Sequence, residues 1–315
     1  MLINLLLLVL GFIILIKGAD FFVDGTSGIA GNFKVSKMLI GLTIVAFGTS
    51  APEFAVSLKS LLSKSGDIVL GNVIGSNILN ILLILGISSL VHTLTVKNNT
   101  VKKELPITML ITTLFAVLLS DNLFDIKIKN MFTRSDGIIL ILFFGVFIYY
   151  LISISRKKIQ EEGMEILTLK KSIAFTIIGL LGIILGSNLV VDSAVILAKI
   201  MGISERLISL TIIALGTSLP ELVTSITATR KGEYDIAIGN VVGSNIFNIG
   251  IVIGIPVALL GGIGTINFSY IDLLVMITSA IILFMFSFND YKISRKEGII
   301  FLVLFFIYYS YVLLS

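Results

Sequence analysis

The sequence predicts an all-α integral membrane protein: ten transmembrane helices forming two inverted five-helix repeats, with helices 2 and 7 discontinuous. Three observations carry this. The 315 residues are 56% hydrophobic and 13% charged, with a mean hydropathy of +1.09, whereas soluble domains hold about 25% charged residues. Apolar stretches near the roughly 20 residues that cross a bilayer recur along the whole chain. Two long polar strings, which ought to be greasy in such a chain, each occur twice.

Taken in order, spans are expected near 2–23, 38–60, 68–90, 105–120, 136–154, 173–197, 207–229, 236–260, 271–288 and 298–314. The first has no basic leader and no small-residue cleavage site, so it reads as a span and not a cleaved signal peptide. The fourth is short. The loops joining spans 1–2, 3–4, 5–6, 7–8 and 9–10 hold fifteen of the 23 Lys and Arg, and the other loops seven; Lys17 lies inside the first span. Basic loops face the cytoplasm, which places both termini outside a cell membrane. The net charge of +4 then reflects these loops and not a nucleic-acid surface. With no cysteine there is neither a disulfide framework nor a thiolate metal site. The hydrophilic stretch around Ser155–Lys171 reads as a solvated linker. The chain therefore divides into residues 1–154 (first repeat), 155–172 (cytoplasmic linker) and 173–315 (second, inverted repeat). Tyr149, Tyr150, Tyr308 and Tyr309 close spans five and ten as interfacial anchors.

The duplication is explicit. Gly41-Leu-Thr-Ile-Val-Ala-Phe-Gly-Thr-Ser-Ala-Pro-Glu-Phe54 returns as Ser209-Leu-Thr-Ile-Ile-Ala-Leu-Gly-Thr-Ser-Leu-Pro-Glu-Leu222. Gly71-Asn-Val-Ile-Gly-Ser-Asn-Ile-Leu-Asn80 returns as Gly239-Asn-Val-Val-Gly-Ser-Asn-Ile-Phe-Asn248, and Gly18–Asp24 matches Gly186–Asp192. Asp136-Gly-Ile-Ile and Glu297-Gly-Ile-Ile open spans five and ten. Five spans per half is an odd number, so the second half must sit upside down. That is the plan of many secondary transporters, with the substrate near the midplane.

Thr49 and Ser50 fall at the centre of the second span. Glu53 lies about 6 Å further out at 1.5 Å per residue, and by the inversion Glu221 lies as far toward the inside. A carboxylate at such depth costs several kcal/mol unless protonated or compensated. Pro52 and Pro220 break the helix and free carbonyls near Gly48 or Thr49 and near Gly216 or Thr217. Asn72, Ser76 and Asn80 share one helix face, as do Asn240, Ser244 and Asn248. The pairs Gly71/Gly75 and Gly239/Gly243 admit a close helix neighbour. No basic residue lies within reach of Glu53 and Glu221 in these four spans, so the two carboxylates bring a charge of −2. Oxygen-only ligation without His or Cys suits Ca²⁺ or Na⁺ and argues against zinc or copper. One Ca²⁺, two Na⁺ or two protons would neutralise the pair; mutually exclusive neutralisation is the physical basis of exchange.

On the GTSAPE and GTSLPE strings, with GNVIGSN and GNVVGSN, the chain resembles the sodium/calcium exchanger family of the cation/Ca²⁺ exchanger superfamily, in its prokaryotic form. The resemblance implies antiport of Na⁺ for Ca²⁺ by alternating access. About three Na⁺ per Ca²⁺ would make it electrogenic. It implies a monomer in the lipid bilayer with no cofactor, no enzymatic activity and no nucleic-acid partner. The implied ligands are Glu53, Thr49, Ser50, the carbonyl of Ala46, Ser76 and Asn80. The second repeat supplies Glu221, Thr217, Ser218, the carbonyl of Ala214, Ser244 and Asn248. Some members carry Asp where Asn248 stands, among them K⁺-dependent exchangers, so K⁺ co-transport is not expected. The proton-coupled branch usually sets its Glu in a GNxxE-like context; the strings here favour Na⁺ over the alternative of a proton-coupled Ca²⁺ or other cation exchanger. A channel would need a continuous pore, which a single-chain pseudo-symmetric site argues against. The resemblance also makes spans one and six the moving gate, with Asp20, Asp24 and Asp192 either lining an ion path or marking helix ends. Lys17 is expected to snorkel, His92 to sit in a loop without a role, and Asp121, Asp125 and Asp136 to belong to a solvated loop without Ca²⁺-loop spacing.

Overall fold

The structure is a computed structural model, and it describes residues 1–63, 65–124, 130–155, 167–203, 212, 214–263 and 269–314. Apart from two strands of two residues, β1 (Leu94–Thr95) and β2 (Lys292–Ile293), its regular structure is helical. The main helices are α1 (Leu2–Phe33), α2 (Lys37–Thr49), α3 (Ala51–Leu62), α4 (Gly66–Val91), α5 (Leu105–Leu118), α6 (Arg134–Ser155) and α7 (Leu169–Ile200). They continue as α8 (Ala214–Thr217), α9 (Leu219–Arg230), α10 (Tyr234–Leu260), α11 (Tyr270–Asp290) and α12 (Arg295–Leu314). Seven of these are long and apolar enough to cross a membrane, or eight if the bent pair α2–α3 is one span. Ten were expected. The fourth expected span forms only the 14 residues of α5, entered through a π-helical turn that carries Lys102, Lys103 and Glu104. Of the seventh, residues 207–211 and 213 lie outside the described residues.

Helix α1 runs ten residues beyond its expected end, which sets Lys17, Asp20 and Asp24 inside a helix and not at its tip. The expected span stopped short at the charge of Asp24. Lys231 answers two of these charges, with Nζ 2.8 Å from Asp24 and 3.5 Å from Asp20. The helix stops at Lys34, whose left-handed backbone returns its N–H to the carbonyls of Ala30 and Gly31. Helix α7 has the same 32 residues and packs against α1 backbone to backbone along a glycine seam. A methyl group at Gly18 would stand 2.7 Å from Ile183 N, and one at Gly186 2.5 Å from Leu15 N. Only glycine permits that approach.

The centre is built differently. α4 and α10 are largely buried, whereas α6, α7 and α12 expose Leu142, Val146, Leu181, Leu185, Phe306 and Ile307. Apolar faces of this extent belong to a lipid-facing surface. Gly239 and Gly243 of α10 abut Gly41 and Ala46 of α2, as GxxxG predicts, but a methyl group at Gly71 or Gly75 would meet nothing within 4 Å among the described residues. The equivalent partner stretch for that pair, 209–214, falls largely outside the described residues.

Connections gather at two ends. At one, β1 pairs with β2, Lys37 meets Glu233 at 2.9 Å, and Asn32 Nδ2 donates to Leu167 O at 2.7 Å. His92 is not idle there: its ring stacks on Tyr234 and its Nδ1 lies 2.8 Å from the tyrosine hydroxyl. At the other end Phe132 bridges Ile263, and Asn122 and Asn130 both contact the Tyr270 hydroxyl. Asp121 takes part by accepting from Met131 N at 3.3 Å, while Asp125 lies outside the described residues. Two of the expected anchor tyrosines turn inward. Tyr150 donates to the buried Glu104, and Tyr308 donates to Asp272 at 3.0 Å. A carboxylate withdrawn from water needs such a donor.

Candidate cation site

Each polar centre begins with a helix break. Ser50 sits at φ −82°, ψ 6° and Ser218 at φ −88°, ψ 3°, each followed by a helix with proline in its first turn. The α2–α3 bend is 46°. Glu53 and Glu221 therefore occupy the first turn of α3 and α9, where the exposed N–H groups favour negative charge. Both are 1% exposed. Pro220 frees the Gly216 carbonyl as expected, but that oxygen accepts from Ser187 Oγ at 3.2 Å. It is consumed as packing between α7 and α8, and Ala19 in the equivalent place of the first repeat has no hydroxyl to do the same.

Neighbouring helices are tied to each break symmetrically. Asn72 Nδ2 donates to the Glu53 carbonyl at 3.1 Å and to Ser57 Oγ at 3.0 Å. Asn240 Nδ2 does the same to the Glu221 carbonyl at 3.4 Å and to Ser225 Oγ at 3.0 Å. These two asparagines hold the scaffold. The contacts to the carboxylates cross between repeats: Ser50 Oγ donates to Glu221 Oε1 at 3.0 Å, and Ser218 Oγ lies 3.5 Å from Glu53 Oε1 and 3.4 Å from Ser76 Oγ. Thr49 Oγ1 stands 2.9 Å from Asn240 Oδ1 and 3.1 Å from Val45 O, and Thr217 interacts with Glu53. The Ala46 carbonyl accepts from Ser50 N at 3.0 Å and lies 3.4 Å from Thr49 Oγ1. Ala214 opens α8.

Asn80 and Asn248 each start a π-helical turn, a device common at functional sites. Two residues that the sequence reading passed over join them: Asn77 and Asn245. Asn80 Nδ2 donates to Asn245 Oδ1 at 2.9 Å and Asn248 Nδ2 to Asn77 Oδ1 at 3.1 Å. Asn77 and Asn245 also bond each other's backbone carbonyls at 3.3 Å. Their signal was present in the duplicated string, one residue after Ser76 and Ser244 and three before Asn80 and Asn248.

What remains is informative. Among the described residues, Glu53 Oε2, Glu221 Oε2, Asn80 Oδ1 and Asn248 Oδ1 are buried oxygens without a hydrogen-bond partner, and the Ser244 hydroxyl is likewise unmatched. Four such acceptors in two repeat-related pairs are costly unless something positive meets them. No cluster of three or more His, Cys, Asp or Glu occurs among the described residues. The donor set is therefore hard oxygen from two carboxylates, amides and hydroxyls, the chemistry of Na⁺ and Ca²⁺.

A family model described as sodium/calcium exchanger protein matches residues 3–153 and 171–314. The chain is 38% identical to the inner membrane protein YrbG of Escherichia coli strain K12, over 83% of this chain and 82% of that one. It is 32% identical to the sodium/calcium exchanger MaX1 of Methanosarcina acetivorans, over 99% and 98%. Among solved structures, the sodium-calcium exchanger NCX_Mj soaked with Na⁺ and Sr²⁺ superposes with a TM-score of 0.84 at 33% identity, covering 100% of this chain and 98% of that one.

Proposed function

This chain is a member of the sodium/calcium exchanger protein family, and on that premise we propose that it exchanges Na⁺ for Ca²⁺ across a cell membrane by alternating access. The observation that carries the reading is the set of four unmatched buried oxygens, two from each repeat. Ca²⁺ or Na⁺ ions neutralise Glu53 and Glu221 in turn, and the bare pair does not cross because two uncompensated carboxylates within the membrane are costly. Glu53 and Glu221 act as the charged ligands, with Thr49, Ser50, Ser76, Asn80 and the Ala46 carbonyl on one side. Thr217, Ser218, Ser244, Asn248 and the Ala214 carbonyl serve on the other. About three Na⁺ move per Ca²⁺, without K⁺, so a net charge crosses.

The gathering of connections at two ends supports ten crossings in two inverted repeats. The concentration of Lys and Arg in one set of connections supports placing that end in the cytoplasm and both termini outside. Both halves of the site come from one chain, which supports a functional monomer.

The test is ⁴⁵Ca²⁺ uptake into proteoliposomes loaded with Na⁺ and diluted into Na⁺-free buffer, beside choline-loaded and acid-loaded vesicles and the variants Glu53→Gln and Glu221→Gln. Uptake that requires internal Na⁺ and disappears in both variants is expected. Uptake driven by a proton gradient with no Na⁺ effect would assign proton coupling instead, and uptake surviving both substitutions would remove the site assignment.

A further inference from the structure

We infer that Asn77 and Asn245 are positioning residues that fix the side-chain amides of Asn248 and Asn80, across the repeat boundary, so that both present oxygen and not nitrogen to the cation. This rests on the cation-exchange reading above. A carboxamide is nearly symmetric in shape but not in chemistry, since one end accepts and the other donates. Turned half around, Asn80 or Asn248 would aim an NH₂ group at a cation.

The structure prevents that turn through two groups that cannot be inverted. A backbone carbonyl only accepts, so the Asn77 atom 3.3 Å from Asn245 O is Nδ2. Its other end is then Oδ1, which Asn248 meets at 3.1 Å and must meet with Nδ2. Asn248 Oδ1 is left facing no donor among the described residues. The mirror chain runs from Asn77 O through Asn245 Nδ2 at 3.3 Å, then from Asn245 Oδ1 to Asn80 Nδ2 at 2.9 Å, and leaves Asn80 Oδ1 unmatched. All four side chains are 1% exposed, so solvent offers no substitute partner. The arrangement also accounts for an amide at position 248: an ionised aspartate there would have no N–H to give Asn77.

The experiment is Ca²⁺ binding to the purified full-length chain by calorimetry, with thermal unfolding in parallel, for the wild type, N77A, N248D and N77A/N248D. Loss of one orienting hydrogen bond to a ligand is expected to raise the Kd of N77A about tenfold. In the N248D background the same substitution should cost nothing, or tighten binding, because a carboxylate shows oxygen either way and no longer faces the Asn77 oxygen. Equal fold-losses in both backgrounds would mean that Asn77 merely supports the fold and would overturn the inference. Should N77A fail to fold, the mirror set N245A, N80D and N245A/N80D decides by the same comparison. Failure of the underlying reading looks different: E53Q, E221Q and N248D would all bind Ca²⁺ as the wild type does.

Discussion

Glutamine in place of Glu53 or Glu221 preserves shape and removes one charge from the pair. At an effective dielectric of about 20, a unit charge about 4 Å away is worth about 4 kcal/mol, so either variant should lose more than about 100-fold in Ca²⁺ affinity. The sign for stability differs. In Ca²⁺-free buffer each variant should melt no lower than the wild type, because a desolvated carboxylate has been removed; the upward shift in Tm that saturating Ca²⁺ gives the wild type should vanish. Thermal unfolding with and without Ca²⁺ reads both effects. At this scale the sequence revealed residue types but not partners. Glu53 and Glu221 were legible from their proline context and duplication. Asn77 and Asn245 were not, because their value lies in contacts with residues 165 to 171 positions away. Ser187 escaped for the same reason: it answers a carbonyl freed by a proline in another helix.

Among the elements, the α1–α7 seam makes the sharpest prediction. Alanine at Gly186 would put its methyl group 2.5 Å from Leu15 N. The backbones must separate, at a cost of about 1–3 kcal/mol. Alanine at Gly71 meets nothing within 4 Å among the described residues and is the control. G186A should lower Tm and transport together, whereas G71A should leave Tm within a degree or two or raise it, since alanine favours helix. The breaks in the second and seventh spans could be read from Pro52 and Pro220 alone. The length of α1 could not, since the expected span stops at Asp24, whose charge Lys231 compensates from a distant element. The fifth helix, α5, was expected to be short and is short for a visible reason: its N-terminal approach is charged.

For the whole molecule, the proposed stoichiometry predicts that an inside-positive potential, set with K⁺ and valinomycin, accelerates Na⁺-driven Ca²⁺ uptake and slows Na⁺-dependent Ca²⁺ efflux. Na⁺-driven ⁴⁵Ca²⁺ uptake by exchange of about three Na⁺ outward for one Ca²⁺ inward carries positive charge out of the vesicle. An inside-negative potential should therefore slow it, and indifference to potential would exclude an unequal charge count. The helical membrane class was legible from hydropathy, and the repeat in sequence from polar strings that lipid alone would never select. A pairing that hydropathy could not reveal is Glu104 with Tyr150 beside Asp272 with Tyr308, where acid and phenol come from separate helices of each half.

The crossed hydrogen bonds at the centre bear on ancestry and assembly. Ser50 serves Glu221 and Ser218 lies against Glu53; Asn77 holds Asn248 and Asn245 holds Asn80. Neither half owns a complete set, and every borrowed group is returned by its equivalent. On the proposed inverted-repeat plan, a five-helix ancestor inserted into the membrane in both orientations would have met these needs by pairing with its own inverted copy. Fusion of two such genes would then preserve the site while freeing each half to diverge, as Ser187 has from Ala19.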